Sequence, residues 1–300
     1  MKKVSIWISS MRLRTLPLSL SGIILASSFA VYNGVFKWSI CILAILTTLS
    51  FQILSNLAND YGDGLKGTDN KNRVGPERAI QSGKISPDEM LNAIKLNVLF
   101  AICLSTCLIY CAFGVTNFTL TATFFVLGTL SIIAAIRYTV GTNAYGYKAL
   151  GDIFVFIFFG LVSVIGCYVL FAKRIDAVVY LPAITIGLLS TAVLNLNNMR
   201  DIKNDETSNK MTLAVKLGSK KVKIYHYILI ISAIVLSLMF GLLFYTSSYN
   251  LIFTITYIPL IIHLNKVNKN SDPKDLDPEL KKLALTTVLL SILMGIAYLI

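Results

Sequence analysis

The sequence predicts an all-α, polytopic membrane bundle of about nine transmembrane helices, organised as a single membrane domain over residues 1–300. Three observations predict it. Only 14% of the chain is charged and 55% is hydrophobic, whereas soluble domains carry about 25% charged residues. The mean hydropathy is +0.72. The apolar residues also gather into stretches of the length that crosses a bilayer core, roughly 20 residues of helix. A soluble fold of this size could not cover its surface with so few charges. Abundant Leu, Ile, Val and Phe, with ordinary Gly and Pro, exclude a disordered, collagen-like or disulfide-stapled chain.

Nine stretches qualify: 16–32, 38–58, 90–113, 118–136, 152–171, 178–197, 225–245, 250–265 and 283–300. The first follows Arg14-Thr15-Leu16-Pro17, where Arg14 reads as an anchor or a ligand. The second runs directly into an Asn- and Asp-rich segment, and loop 59–89 separates it from the third. The third carries Cys103, Cys107 and Cys111 on one helix face; none of the five cysteines falls in a metal or CxxC spacing, so they read as packing residues. The short loop 137–151, with Lys148, links the fourth and fifth. The sixth ends in a second Asn/Asp-rich segment, followed by loop 198–224. His226 and His263, at or within the seventh and eighth, have no companion ligand pattern and read as packed or interfacial.

Nine spans put the termini on opposite sides, and charge picks the side. Every Lys and Arg except Lys37, Lys95, Lys173 and Arg174 falls in the N-terminal segment or in loops after even-numbered spans. The positive-inside rule places these in the cytoplasm, with the C-terminus opposite. The expected location is the cytoplasmic membrane. The net charge of +12 thus reads as a topology signal, with no nucleic-acid partner. All acids but Asp176 share that side, although acids contribute little to orientation. Their clustering therefore points to function.

In Asn56-Leu57-Ala58-Asn59-Asp60-Tyr61-Gly62-Asp63, the residues Asn56, Asn59, Asp60 and Asp63 recur at helical spacing on one face. In the second segment Asn198, Asp201 and Asp205 repeat the pattern. Carboxylates packed so closely repel one another and are costly to bury unpaired. A hard cation resolves the conflict: Mg²⁺ takes a few carboxylates and completes its shell with water and phosphate oxygens. Two such stripes facing each other suit a diphosphate bridged through Mg²⁺. The cations nearby fit that chemistry, since Lys66, Arg73, Arg78, Lys148, Arg200, Lys203 and Lys210 could clamp phosphate oxygens. No Walker-type or GxGxxG loop is present.

Asn59-Asp60-x-x-Asp63 and Asp201-x-x-x-Asp205 resemble the two aspartate-rich motifs of the UbiA superfamily of intramembrane prenyltransferases. Asn56 to Asp69, Arg73-Val74-Gly75-Pro76, Gln81-Ser82-Gly83, Gly146 to Asp152 and Lys210 to Val215 are similar to the menaquinone branch of that superfamily. The resemblance implies a helical bundle with a central prenyltransferase cavity and, as substrates, a polyprenyl diphosphate and 1,4-dihydroxy-2-naphthoate. It implies Mg²⁺ on Asn59, Asp60, Asp63, Asp69, Asp201 and Asp205, with Lys148 joining the aspartates in catalysis. Arg14, Asn56, Lys66, Arg73, Arg78, Tyr138, Tyr145, Asn198 and Lys210 are then expected at the substrates. One position departs: the superfamily's further Asp, four residues beyond Asp63, is Gly67 here, and Asp69 stands nearby. Tyr138, Tyr145 and Lys148 also miss the superfamily's Tyr-x-x-x-Lys spacing.

Two other readings stay open at this level. A sibling enzyme would prenylate another aromatic acceptor, such as 4-hydroxybenzoate or homogentisate. An ion-coupled transporter would also bury aspartates in membrane helices, but nearer the membrane centre and at interrupted helices.

Overall fold

A computed structural model describes residues 3–71 and 73–300, and all their side chains except that of Arg14. A short helix α1 (Lys3–Ser10) precedes the bundle. The spans are α2 (Leu16–Tyr32), α3 (Trp38–Leu65), α4 (Pro87–Phe113), α5 (Phe118–Arg137), α6 (Gly151–Ala172), α7 (Ala177–Thr207), α8 (Leu213–Leu243), α9 (Ser248–Lys269) and α10 (Pro273–Leu299). The eight from α3 to α10 are long and apolar enough to cross a membrane, and α2 is a shorter apolar helix. Together they match the predicted spans in number and order.

The helices outrun the hydropathy at the ends that carry polar residues. α3 continues to Leu65 and α7 to Thr207, so both Asn/Asp segments are helical rather than loop. Hydropathy falls where a helix leaves the apolar layer, but its backbone hydrogen bonds continue. α8 likewise begins at Leu213, well before 225, and bends at Gly218, whose φ of +72° suits a residue without Cβ. α4 starts at Pro87 because Ser86 and Glu89 form a reciprocal capping box.

α1 has no hydropathic signature, yet it is placed by packing. Ile6 and Trp7 lie against a buried cluster that includes Leu54, Leu57, Ala58 and Met90. α6 contains a π-helical stretch, Phe156–Gly166, a widened geometry that recurs at functional sites. It crosses α7 at backbone contact: a Cβ on Gly160 would lie 2.6 Å from the Gly187 Cα. Small residues permit such close crossings between membrane helices. At the end opposite the Asn/Asp stripes, Tyr32 packs on Tyr298 with centroids 4.4 Å apart. The two ends of the chain therefore lie at opposite ends of the bundle.

Both histidines are packed in the interior, as the sequence suggested, and they also meet each other, which nothing in the sequence announces. His226 Nε2 lies 2.9 Å from His263 Nε2, and His226 Nδ1 lies 3.2 Å from Asn195 Oδ1. His263 Nδ1 reaches Glu279 Oε2 at 2.9 Å, and Lys282 donates to the other carboxylate oxygen at 2.7 Å. The chain fastens α7 to α8, α9 and α10. Deleting one link leaves buried polar groups without partners, which costs about 1–3 kcal/mol. His263→Ala should therefore lower the thermal unfolding midpoint of the purified protein, while Ile258→Ala, at an exposed position on the same helix, should leave it nearly unchanged.

Candidate active site

The ends of α3 and α7 face one another across a cavity of about 410 Å³. α3 contributes Asn56, Asn59 and Asp63; α7 contributes Asn197, Asn198, Asp201, Asn204 and Asp205. The loop after α3 folds over this end and adds Thr68, Asp69, Arg73 and Arg78, while Lys210 enters from the loop after α7. Gly75 lets that loop pass: a Cβ there would sit 2.6 Å from Arg200 Nη2 and 2.8 Å from Arg73 Nη2. Below the polar layer the walls turn aromatic and aliphatic, with Tyr138, Tyr145, Phe154, Phe158, Leu108 and Ile109.

Each buried acid is compensated differently. Tyr147 donates to Asp63 Oδ1 and Lys210 to Oδ2, both at 2.7 Å. Arg200 grips Asp201 through Nε at 3.1 Å and Nη2 at 2.7 Å, with Arg73 Nη2 at 3.5 Å. Arg73 Nε lies 3.2 Å from Asp69 Oδ1, whereas Asp69 Oδ2 is buried without a hydrogen bond. Among the described residues no side chain bonds to the Asp205 carboxylate, although Asp205 is buried. Asn204 Oδ1 is likewise buried and unpaired.

The electrostatics of the surrounding loops follow. Burial, reinforced by the Asp63 charge, pushes the Asp69 carboxyl above the usual range. Burial alone would lower Lys210, but Asp63 and Asp205 outweigh it and raise its pKa. Burial lowers the Arg78 guanidinium to about 9, and the like charges of Arg12 and Arg73 add to the effect. Burial raises the phenols of Tyr138, Tyr145 and Tyr147, so they remain neutral donors. Tyr145 stacks on Phe154 with centroids 3.9 Å apart.

Arg200 and Lys203, read from the sequence as possible phosphate clamps, do not line the cavity, and three residues expected from the family resemblance are also not in it. Asp60 is turned one helical step away, toward α1: its carboxylate takes Arg12 and, at 3.6 Å, Arg78. It lines a separate cavity of about 330 Å³ beneath α1. Lys148 is exposed and donates to Asn143 Oδ1 at 2.9 Å, because the loop carrying it turns outward there. Lys66 points past the cavity: its Nζ donates to Thr139 O at 2.6 Å and lies 4.0 Å from the Tyr147 ring centroid. Partial burial lowers its pKa, against the pull of Asp63. The Arg14 side chain lies outside the described residues. The remaining expected residues, Asn56, Asn59, Asp63, Asp69, Arg73, Arg78, Tyr138, Tyr145, Asn198, Asp201, Asp205 and Lys210, all line the cavity. Asn56 is also held from below, with Nδ2 donating to Met11 O at 2.9 Å.

The expected metal set is not a preformed cage. Among the described residues no group of three or more His, Cys, Asp or Glu is close enough to hold a metal ion. The donors nevertheless suit a hard cation arriving with a phosphate: they are oxygens, and Asp69 Oδ2 and Asn204 Oδ1 are buried without partners. Sequence reasoning missed Arg12, Thr68, Asn197 and Asn204 at the cavity. Asn204 could have been found from its place between Asp201 and Asp205; Arg12 is indistinguishable in sequence from a topology charge.

Residues 20–298 match the UbiA prenyltransferase family. The chain belongs to that family. It is 40% identical over 301 residues to the 1,4-dihydroxy-2-naphthoate octaprenyltransferase of Haemophilus influenzae, covering 100% of this chain and 97% of the relative. It is 41% identical over 290 residues to the enzyme of the same name from Escherichia coli, covering 96% and 94%. The structure of a UbiA homolog from Archaeoglobus fulgidus bound to GPP and Mg²⁺ shares the fold, with a TM-score of 0.62 at 14% identity over 96% of this chain and 99% of that one. The UbiA fold and the apolar helices make this chain a multi-pass integral membrane protein.

The two stripes meet at one cavity, so charge removed from either should have the same consequence. Asp63→Asn and Asp201→Asn should each lower turnover at least ~100-fold, about 2.7 kcal/mol of transition-state stabilisation. The double variant should be little worse than either, as groups acting in one unit are not additive. Lys148→Ala should stay within about twofold of the parent, because its exposed ammonium bonds only near the surface. Product formation by the purified variants measures all four.

Proposed function

We propose that this chain is a 1,4-dihydroxy-2-naphthoate polyprenyltransferase of menaquinone biosynthesis. It transfers a polyprenyl group from polyprenyl diphosphate to the ring carbon that bears the acceptor's carboxylate, releasing diphosphate and CO₂ and giving the quinol, demethylmenaquinol, the reduced form of demethylmenaquinone. The observation that carries this reading is 40% identity along the whole chain to an octaprenyltransferase for that acceptor. Two Asn/Asp stripes on one cavity, with an apolar chamber below them, agree with it.

The donor's diphosphate lies between the stripes, and its isoprenoid tail lies along Leu18, Ile23, Leu108, Ile109 and Phe124 toward the bilayer. Asp63, Asp69, Asp201 and Asp205, with Asn59 and Asn204, would hold Mg²⁺, which neutralises charge on the leaving diphosphate when bound. Lys210, Arg73, Arg78 and Arg12 supply fixed positive charge to the same oxygens as the allylic C–O bond breaks. Tyr138, Tyr145 and Phe154 present ring faces to the allylic cation and exclude water from it. The acceptor's ring carbon then bonds to the allylic carbon, and loss of its carboxylate as CO₂ returns the electron pair to the ring and restores the aromatic hydroquinone.

The single domain, residues 1–300, sits in the cytoplasmic membrane with its N-terminus and both active-site loops in the cytoplasm. The lopsided Lys and Arg distribution supports that orientation. Purified protein given Mg²⁺, octaprenyl diphosphate and a panel of aromatic acids should yield prenylated product from 1,4-dihydroxy-2-naphthoate, with CO₂ released. A preference for 4-hydroxybenzoate, carboxylate retained in the product, would reassign the acceptor and leave the prenyl transfer intact.

A further inference from the structure

A hydrogen-bonded bracket joins the two stripes through residues that the chemistry above does not use. Tyr147 donates its only hydroxyl proton to Asp63 Oδ1 at 2.7 Å. Its oxygen lies 2.6 Å from Thr68 Oγ1, so Thr68 must be the donor of that bond. Thr68 in turn accepts the Asn204 Nδ2 proton on its backbone oxygen at 2.9 Å. The bracket thus runs from Asp63 on α3, through Tyr147 in the loop before α6 and Thr68 in the loop after α3, to Asn204 on α7.

It fixes one oxygen in each stripe. A carbonyl oxygen can only accept, so the contact with Thr68 settles which end of the Asn204 amide faces it. The other end, Oδ1, is buried with no partner in a residue that lines the cavity. On the α3 side, Asp63 has two partners of different character. Lys210 lines the same cavity and is drawn to any phosphate that enters it. Tyr147 stands behind, with Lys66 Nζ 4.0 Å and Lys210 Nζ 5.4 Å from its ring centroid. Both cations are attracted to the ring face, which favours its present orientation.

We propose that Tyr147 and Thr68 are positioning residues: they keep Asp63 and Asn204 aimed into the cavity while Lys210 moves from Asp63 to the donor's diphosphate. Without the bracket, departure of Lys210 would leave Asp63 with no fixed partner. The carboxylates of α3 and α7, already unfavourable neighbours, would then be free to turn apart. Support of this kind for metal-binding side chains is commonly worth 10–100-fold in metal affinity or activity.

The inference rests on the functional reading above, and the test separates the two. Full-length protein in lipid nanodiscs is compared as parent, Tyr147→Phe, Thr68→Val and the double variant. Two quantities are read: the Mg²⁺ concentration for half-maximal prenyl transfer, and the calorimetric affinity for inorganic diphosphate in the presence of Mg²⁺. Tyr147→Phe keeps the ring beside the lysines and deletes only the hydroxyl; Thr68→Val keeps the shape and the backbone carbonyl. Each should raise the Mg²⁺ requirement and weaken diphosphate binding by at least ~10-fold, and the double variant should match the worse single one. Parental values in both single variants, whatever their melting temperatures, would overturn the proposal and leave the bracket a packing feature. If Tyr147→Phe does not fold, Thr68→Val decides on the same two readouts. A parent that binds Mg²⁺ and diphosphate but transfers no prenyl group to the naphthoate overturns the functional reading, and the binding comparison among variants still judges the bracket.

Discussion

The constraint on which this structure depends is the burial of like charges. Asp63, Asp69, Asp201 and Asp205 lie within one cavity at the ends of membrane helices, each less than a tenth exposed. Ionised groups are expensive there unless paired. The surrounding architecture answers that cost. Lys210 is brought back across the cavity mouth, Arg200 is buried beside Asp201, and the loop after α3 is drawn inward to supply Arg73. The compensation is incomplete, with one oxygen of Asp69 buried without a partner. A fold optimised for stability alone would have replaced such groups with apolar ones.

The same constraint explains the grading of the cavity along the membrane normal. Charged groups gather at one end, where helix ends and polar loops can supply donors, and the remainder is lined by Leu, Ile, Phe and Tyr. A molecule with an anionic head and a hydrocarbon tail matches that gradient in only one orientation. Between the two regions, Tyr138, Tyr145 and Phe154 occupy the level where head and tail would join. The π-helical stretch of α6, which carries Phe158 and lies against α7, adds width where straight α-helices would crowd the chamber.

Much of this was legible in the sequence, for identifiable reasons. The spans followed from hydropathy, and the Asn/Asp stripes from helical spacing, since both are local patterns. Asp60 shares the stripe's spacing because spacing on an isolated helix tolerates an arc wide enough to include it; the packed N-terminal segment, with Arg12, shows that this edge of α3 faces a second cavity. Lys148 lies outside the cavity because a loop's direction is set by its turns, not by its composition. Asp69 is the converse: two residues off the family's usual position, it still reaches the cavity, because the turn at Gly67, φ +71°, redirects the chain after α3. His226 and His263 are separated in sequence by more than a whole helix, and nothing local announces that they touch.

That histidine contact has a directional consequence. Two imidazole nitrogens 2.9 Å apart hold a single proton between them. If the neutral His263 gives its Nδ1 proton to Glu279, its Nε2 can only receive, so His226 must carry its own proton on Nε2. His226 Nδ1 is then bare, and Asn195 satisfies it only with its amide turned to bring Nδ2 to the ring. That turn also gives Asn195 Nδ2 the partner it otherwise lacks. Carboxylate, two tautomers and an amide thus form one sentence read in a single direction: no word in it can be reversed alone.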